Sequence, residues 1–160
     1  MSQLYHIPLD ASAQRAFGLN DPAPLGMADQ VRFSELDVLN HVNNAVYMQW
    51  FERVRVRYTQ LWGISRYMGT GDGPRIVIRS GTIHYKQEML MDEDYLVTCG
   101  CSAFRNTSFT MQQELWSGGT QRATFDCVLV LLKRDGSGRY PIPDDVKHRF
   151  VTVDGASAEG

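Results

Sequence analysis

"FSELDVLNHVNNAVYMQWFERVRVRY", Phe33 to Tyr58, is the stretch from which the fold of this chain can be read. An acid, Asp37, stands seven residues before Asn44, with a crowded His-Val-Asn-Asn run between the two and a long apolar period after them. Within that period Tyr47, Phe51, Val54, Tyr58 and Leu61 are spaced 4, 3, 4 and 3, one face of a helix with 3.6 residues per turn. Arg53 and Arg57, with Gln49 and Gln60, fall largely on the other side. Asn43 or Asn44 suits the N-cap, because a side-chain carbonyl there accepts from the first free N–H groups. Gly63 is a natural stop. The pattern predicts a helix over Asn44–Trp62, 19 residues or about 28 Å, longer than most domain helices.

Upstream, residues 1–26 are punctuated by Pro8, Pro22, Pro24 and Gly26 and read as an irregular arm, with one helical turn near Ala11–Phe17. A short strand is expected over Val31–Glu35. Downstream the pattern changes in kind. "PRIVIRSGTIHYKQEML", "DYLVTCGCSAFRN", "SFTMQQELWS" and "RATFDCVLVLLKR" are strand-like and joined by short links at Met91–Asp94, Arg105–Thr107 and Ser117–Thr120. Phe109, Met111, Gln113 and Leu115 take alternate places, as one covered face requires. "CVLVLL" is continuously apolar and suits a strand covered on both faces. "GSGRYPIPDDVKHRF" reads as a loop and one helical turn capped by Asp144, and residues 151–160 read as a flexible tail. The fold class is α+β: one long central helix wrapped by a mainly antiparallel five-stranded sheet, over residues 27–150. One helix covers one face of such a sheet, so the other face predicts a second subunit, in a homodimer or homotetramer.

The chain has 160 residues, 43% hydrophobic and 21% charged, ordinary for a soluble domain. A net charge of −2 gives no electrostatic case for nucleic acid. Cys99, Cys101 and Cys127 lie in strand-like runs and read as core residues in a reducing compartment. No apolar run approaches the ~20 residues of a membrane span. "MSQLYHIPLDASAQRAF" lacks the features of a secretion signal, so the expected location is the cytoplasm. His6, His41, His84 and His148 have no ligand spacing, so no metal is expected. There is no G-x-S-x-G elbow. "GTGDGP" at Gly69–Pro74 follows a helix, and reads as a flexible loop rather than a phosphate cradle.

The run F-x-x-x-D-x-x-x-H-V-N-N-x-x-Y-x-x-W-F-E, Phe33 to Glu52, resembles the signature of hotdog-fold acyl-CoA thioesterases of the 4-hydroxybenzoyl-CoA thioesterase-like branch. The resemblance covers Val31 to Phe150 in order of elements. It implies a sheet wrapped on the long helix, subunits paired to extend the sheet, and sites at the subunit interface. The family's catalytic acid falls on Asp37 and its oxyanion donor, a main-chain N–H, on Asn44. Many members carry Gly directly before the His, where this chain has Asn40. Asn tolerates a left-handed backbone better than most residues, so the loop is expected to keep its shape.

The chemistry is consistent with that implication. Unpaired N–H groups at a helix start carry partial positive charge and can stabilise an oxyanion. A carboxylate beside them can attack a carbonyl or activate water. A thiol, with a reference pKa of about 8.5, leaves as thiolate without a strong general acid. The expected substrate is therefore an acyl-CoA or acyl-carrier-protein thioester, with CoA part of the substrate and no other cofactor. His41 can orient the loop, touch ligand or pack, and a structural role is preferred. Asn43 can brace the loop or meet substrate, and Tyr47 can pack below the site or line an acyl pocket. Glu52, eight residues past Asn44, is a rival base; its plainer reading is an ion pair with Arg55. Arg75, Arg79, Lys86 and Arg105 are candidates for CoA phosphates. A hotdog hydratase or dehydratase and a non-catalytic acyl-carrier binder are the alternatives.

Overall fold

A computed structural model of the chain describes residues 3–64 and 73–160. The glycine-rich stretch at 69–74 lies mostly outside them. The elements run α1 (Ala11–Arg15), β1 (Leu25–Gln30), α2 (Asn44–Leu61), β2 (Arg75–Tyr85), β3 (Asp94–Phe104), β4 (Ser108–Ser117), β5 (Thr120–Leu132), α3 (Asp144–Thr152) and β6 (Ser157–Ala158). The sheet order is β1-β3-β4-β5-β2, antiparallel throughout; the two-residue β6 adds to β3 in parallel.

Helix α2 lies across the sheet's inner face. Tyr47, Trp50, Phe51, Val54 and Tyr58 are all buried. Trp50 stacks on Tyr95 of β3 with ring centroids 4.1 Å apart, and Phe51 lies 5.6 Å from Phe125 of β5. At about 1.5–3 kcal/mol for each large apolar side chain, burial of these five is worth on the order of 10 kcal/mol, an upper value because the unfolded chain already hides some surface. The helix is 18 residues long, with Trp62 as its C-cap and Gly63 at φ 76 just beyond. The face drawn from the sequence slips at its end: Leu61 is exposed, and Trp62 turns inward instead. Residues Leu129, Val130 and Leu131 of β5 are buried in succession, as a strand covered on both faces requires.

Three expectations need correction. The first strand is Leu25–Gln30, and Phe33–Glu35 is a 3-10 turn, not a strand. Glu35 makes that turn: its Oε1 accepts the Arg32 N–H at 2.8 Å and its Oε2 the Trp50 indole N–H at 2.7 Å. The second concerns the arm, which is not simply irregular. Leu9, Phe17 and Leu19 pack with Ala28 and Leu96 in a second cluster on the sheet's outer side, so the chain itself covers part of that face. Gly18, at φ 110, lets α1 close against the β4–β5 turn; a Cβ there would lie 2.8 Å from the Gly119 oxygen. The third concerns the C-terminal end, where α3 is nine residues with Pro143 rather than Asp144 at its cap. The tail is held against the body as well. Asp154 Oδ2 accepts from the Tyr58 hydroxyl and from Cys101 N–H at 2.8 Å, and Oδ1 accepts from Trp62 Nε1 at 3.0 Å.

Candidate active site

The loop that carries Asp37 is folded on itself. Asp37 N–H donates to the His41 carbonyl at 2.9 Å and Asn40 N–H to the Asp37 carbonyl at 3.0 Å. Asn40 has φ 62, so it adopts the left-handed backbone expected of it. Asp37 Oδ1 accepts from Leu39 N–H at 2.8 Å, which fixes the carboxylate's direction; Oδ2 has no partner among the described residues. The loop is pinned to a neighbouring segment by the Val42 N–H to Met89 carbonyl bond at 2.9 Å and the His41–Leu90 bridge.

Asn43 is the N-cap of α2. Its Oδ1 accepts Ala45 N–H at 3.0 Å and its carbonyl accepts Val46 N–H at 2.9 Å. Asn44 is the first helical residue, and its N–H has no acceptor among the described residues. The Asn44 N–H thus stands open at the positive end of the helix dipole.

Asp37, His41, Asn44 and Tyr47 line one open cavity of about 590 Å³. Its other wall comes from the end of β2: Tyr85, Lys86, Gln87 and Glu88. The Tyr85 hydroxyl donates to the Asn44 carbonyl at 3.0 Å, and the Tyr85 and Tyr47 rings lie 5.0 Å apart. Burial raises the Tyr47 pKa, against the opposing effect of a Met89 backbone contact, so Tyr47 presents a neutral phenol. Of the residues singled out in the sequence, Asn43 serves as cap and does not line this space. Glu52 is exposed on α2 and lines a different cavity. No Glu52–Arg55 ion pair forms among the described residues, because Arg55 turns inward and donates to Gln113 Oε1 at 3.0 Å.

Sequence reasoning missed the wall at the end of β2 and its brace. Arg122 on β5 donates to the Glu88 carbonyl at 2.7 Å and pairs with Glu93 at 2.9 Å, while Lys86 and Gln87 N–H groups donate to the Arg122 carbonyl. No local motif marks this, since the partners lie 29 to 36 positions apart in the chain. Of the four candidates for CoA phosphates only Lys86 reaches the cavity; Arg75 lines another, and Arg79 and Arg105 a third. Among the described residues no group of three or more His, Cys, Asp or Glu is arranged to hold a metal ion. No described helix is long and apolar enough to cross a membrane.

The sequence profile of the thioesterase-like superfamily matches residues 31–150. The chain belongs to that superfamily. This thioesterase-superfamily member has the hotdog fold, and solved structures bear the assignment out. It is 42% identical to a thioesterase-superfamily protein from Jannaschia sp. CCS1, with a TM-score of 0.92 over 99% of this chain and 100% of that one. A predicted thioesterase from Bacillus stearothermophilus is 27% identical, with a TM-score of 0.73 over 84% of this chain and 98% of that one. A thioesterase from Thermus thermophilus, solved with coenzyme A and zinc, is 27% identical with a TM-score of 0.71, covering 83% of this chain and 96% of that one. No curated protein matches the chain in sequence.

Proposed function

We propose that this superfamily member hydrolyses an acyl-CoA thioester to the free acid and the CoA thiol at the cavity between the Asp37 loop and β2. The observation that carries the reading is the shared cavity of Asp37 and Asn44: among the described residues one carboxylate oxygen of Asp37 has no partner and the Asn44 N–H at the helix start has no acceptor. The thioester carbonyl oxygen points at the Asn44 N–H, which stabilises the oxyanion as it forms. Asp37 acts on the carbonyl carbon directly or through water. The thiolate leaves unaided. Water supplies the oxygen of the product acid, either as the attacking group that Asp37 activates or by cleaving the mixed anhydride that direct attack by Asp37 would form. His41 orients the loop through its main chain, and Tyr47 forms the apolar floor. CoA as carrier is supported by the Thermus thermophilus relative solved with that molecule, and Lys86 is the cation placed to meet its phosphates. A second copy along β2, whose one strand neighbour among the described residues is β5, closes the open side of the cavity.

The test is thiol release from a panel of acyl-CoAs of varied length and aromaticity. Asp37→Asn and Asp37→Ala should each lower turnover at least about a hundredfold, the scale of losing one catalytic group, with fold and assembly unchanged. Near wild-type release in both variants overturns the role of Asp37. Water addition to an enoyl-CoA would instead favour a hydratase, and saturable binding without thiol release a carrier-binding protein.

A further inference from the structure

Glu35 stands two residues before Asp37 and does not line the cavity around it. It nevertheless accepts three hydrogen bonds that converge on the Asp37 loop. Its Oε1 takes the Arg32 N–H at 2.8 Å, its Oε2 the Trp50 indole N–H at 2.7 Å, and its carbonyl the Asn43 N–H at 2.9 Å. With the Leu36–Val42 bridge and the Asp37 N–H to His41 carbonyl bond, the last of these makes residues 35–43 a small hairpin whose turn Asp37 opens. Glu35 and Asn43 form its base, and Asn44 follows as the first residue of α2.

The third partner, Trp50, gives the hairpin a fixed anchor. It is 1% exposed, its ring stacks on Tyr95 with centroids 4.1 Å apart, and it meets Tyr47 edge-on at 5.4 Å. It lies six residues past Asn44 on the same helix. The Glu35–Trp50 bond therefore closes a ring that runs through the hairpin, into the first turns of α2 and back. Asp37 and Asn44 both stand on that ring, so their separation is held from two sides. A carboxylate suits the closing position because it offers two accepting oxygens and no donor. Glutamine keeps one acceptor and turns an NH₂ toward the other N–H. Hydrogen bonds to an ionised acceptor are also the stronger kind.

We propose that Glu35 is a positioning residue: through its bond to Trp50 it fixes the Asp37 carboxylate relative to the Asn44 N–H, and it acts on turnover without touching substrate. The inference rests on the hydrolytic reading of the Asp37 cavity, which the Asp37 variants test separately. Placement of this kind weighs heavily on rate, since a shift of about 1 Å can cost about a hundredfold.

Glu35→Gln, Trp50→Phe and the double variant test it in two measurements on the full chain. The first is thiol release from an acyl-CoA that the wild type turns over. Each single variant should lower kcat at least about tenfold with KM within about twofold, because contacts to bound substrate are untouched. The double variant should be no slower than the slower single, since both break one ring. The second is hydrogen exchange, read by mass spectrometry on peptides within residues 36–43, which needs no turnover. Exchange there should quicken at least about tenfold in both single variants, the scale of one charge-assisted hydrogen bond, while peptides from β4 stay as in the wild type. If Trp50→Phe fails to fold, Glu35→Gln decides. Wild-type kcat in folded Glu35→Gln, a loss expressed in KM alone, losses that multiply in the double variant, or unchanged exchange overturns the proposal. If hydrolysis is absent from the wild type or survives Asp37→Asn, the hydrolytic reading fails, and exchange alone then decides whether Glu35 fixes the loop.

Discussion

Tyr85 at the end of β2 donates its hydroxyl to the carbonyl of Asn44, the residue whose N–H opens onto the candidate site. One hydrogen bond thus ties the sheet edge to the first turn of α2. Tyr85→Phe removes it and leaves the ring against Tyr47. Tyr85 is half-exposed, so the loss in stability should be about 0.5–1 kcal/mol, the low end for a hydrogen bond. The same energy taken from the placement of the Asn44 amide lowers kcat about two- to fivefold. Steady-state kinetics should show kcat falling with KM nearly unmoved.

Arg122 braces the same wall from behind. It is almost wholly buried and pairs with Glu93 at 2.9 Å. Arg122→Met leaves the Glu93 carboxylate with little solvent to replace the partner, and should cost about 3–5 kcal/mol by urea denaturation. Arg122→Lys keeps the charge but not the fork that reaches both Glu93 and the Glu88 carbonyl, so it should fall between the two. A loss under about 1 kcal/mol in Arg122→Met would show that the wall stands without its brace.

The tail makes a prediction about pH. Burial raises the Asp154 pKa above its ordinary value, against hydrogen bonds from Tyr58, Cys101 and Trp62 that act to lower it. A carboxyl whose folded pKa lies above its unfolded one holds extra proton in the folded state. Its contribution to stability is therefore fullest at acid pH and declines as pH rises from the ordinary carboxylate value through the raised one, then levels off. Asp154→Asn does not titrate. Urea midpoints measured from acid to neutral pH should show the wild type losing ground relative to Asp154→Asn across that window. A constant gap would place the Asp154 pKa at its unfolded value.

The thiols should be inert in the folded protein. Burial pushes Cys101 up to about 12 and Cys127 up to about 11, and holds Cys99 well above the thiol range. At pH 8 a thiol with a pKa near 11 is only about 0.1% thiolate, the reactive form. Iodoacetamide at pH 8 should label none of the three rapidly, and all three once urea is added, as read by mass spectrometry.

Much of the fold could be read from the sequence because its main signals are local. The spacing from Tyr47 to Tyr58 is set by one helix face, and the alternation in Phe109 to Leu115 by one strand face. The loop shape at Asn40 was legible for the same reason: it depends on one residue's backbone tolerance. Leu61 and Trp62 could not be told apart by periodicity, because the helix ends there and Asp154, 92 positions from Trp62, draws the indole inward. The Val31–Glu35 strand failed because the Glu35 side chain satisfies the Arg32 N–H and so favours a turn. At the site, Asp37 and Asn44 are neighbours in sequence and could be paired. Tyr85 and Glu88 reach the same cavity, and Arg122 its wall, by strand pairing, which no short window contains.

The arm over β1 has a consequence for how copies of this chain can meet. His6 N–H donates to the Ala28 carbonyl and Leu9 N–H to the Gly26 carbonyl, so the border of the sheet at β1 is already occupied by the chain's own backbone. The border at β2 is left free among the described residues. A closed border offers no unpaired N–H or C=O row to a foreign strand, so among the described residues strand addition along this sheet is limited to the β2 side.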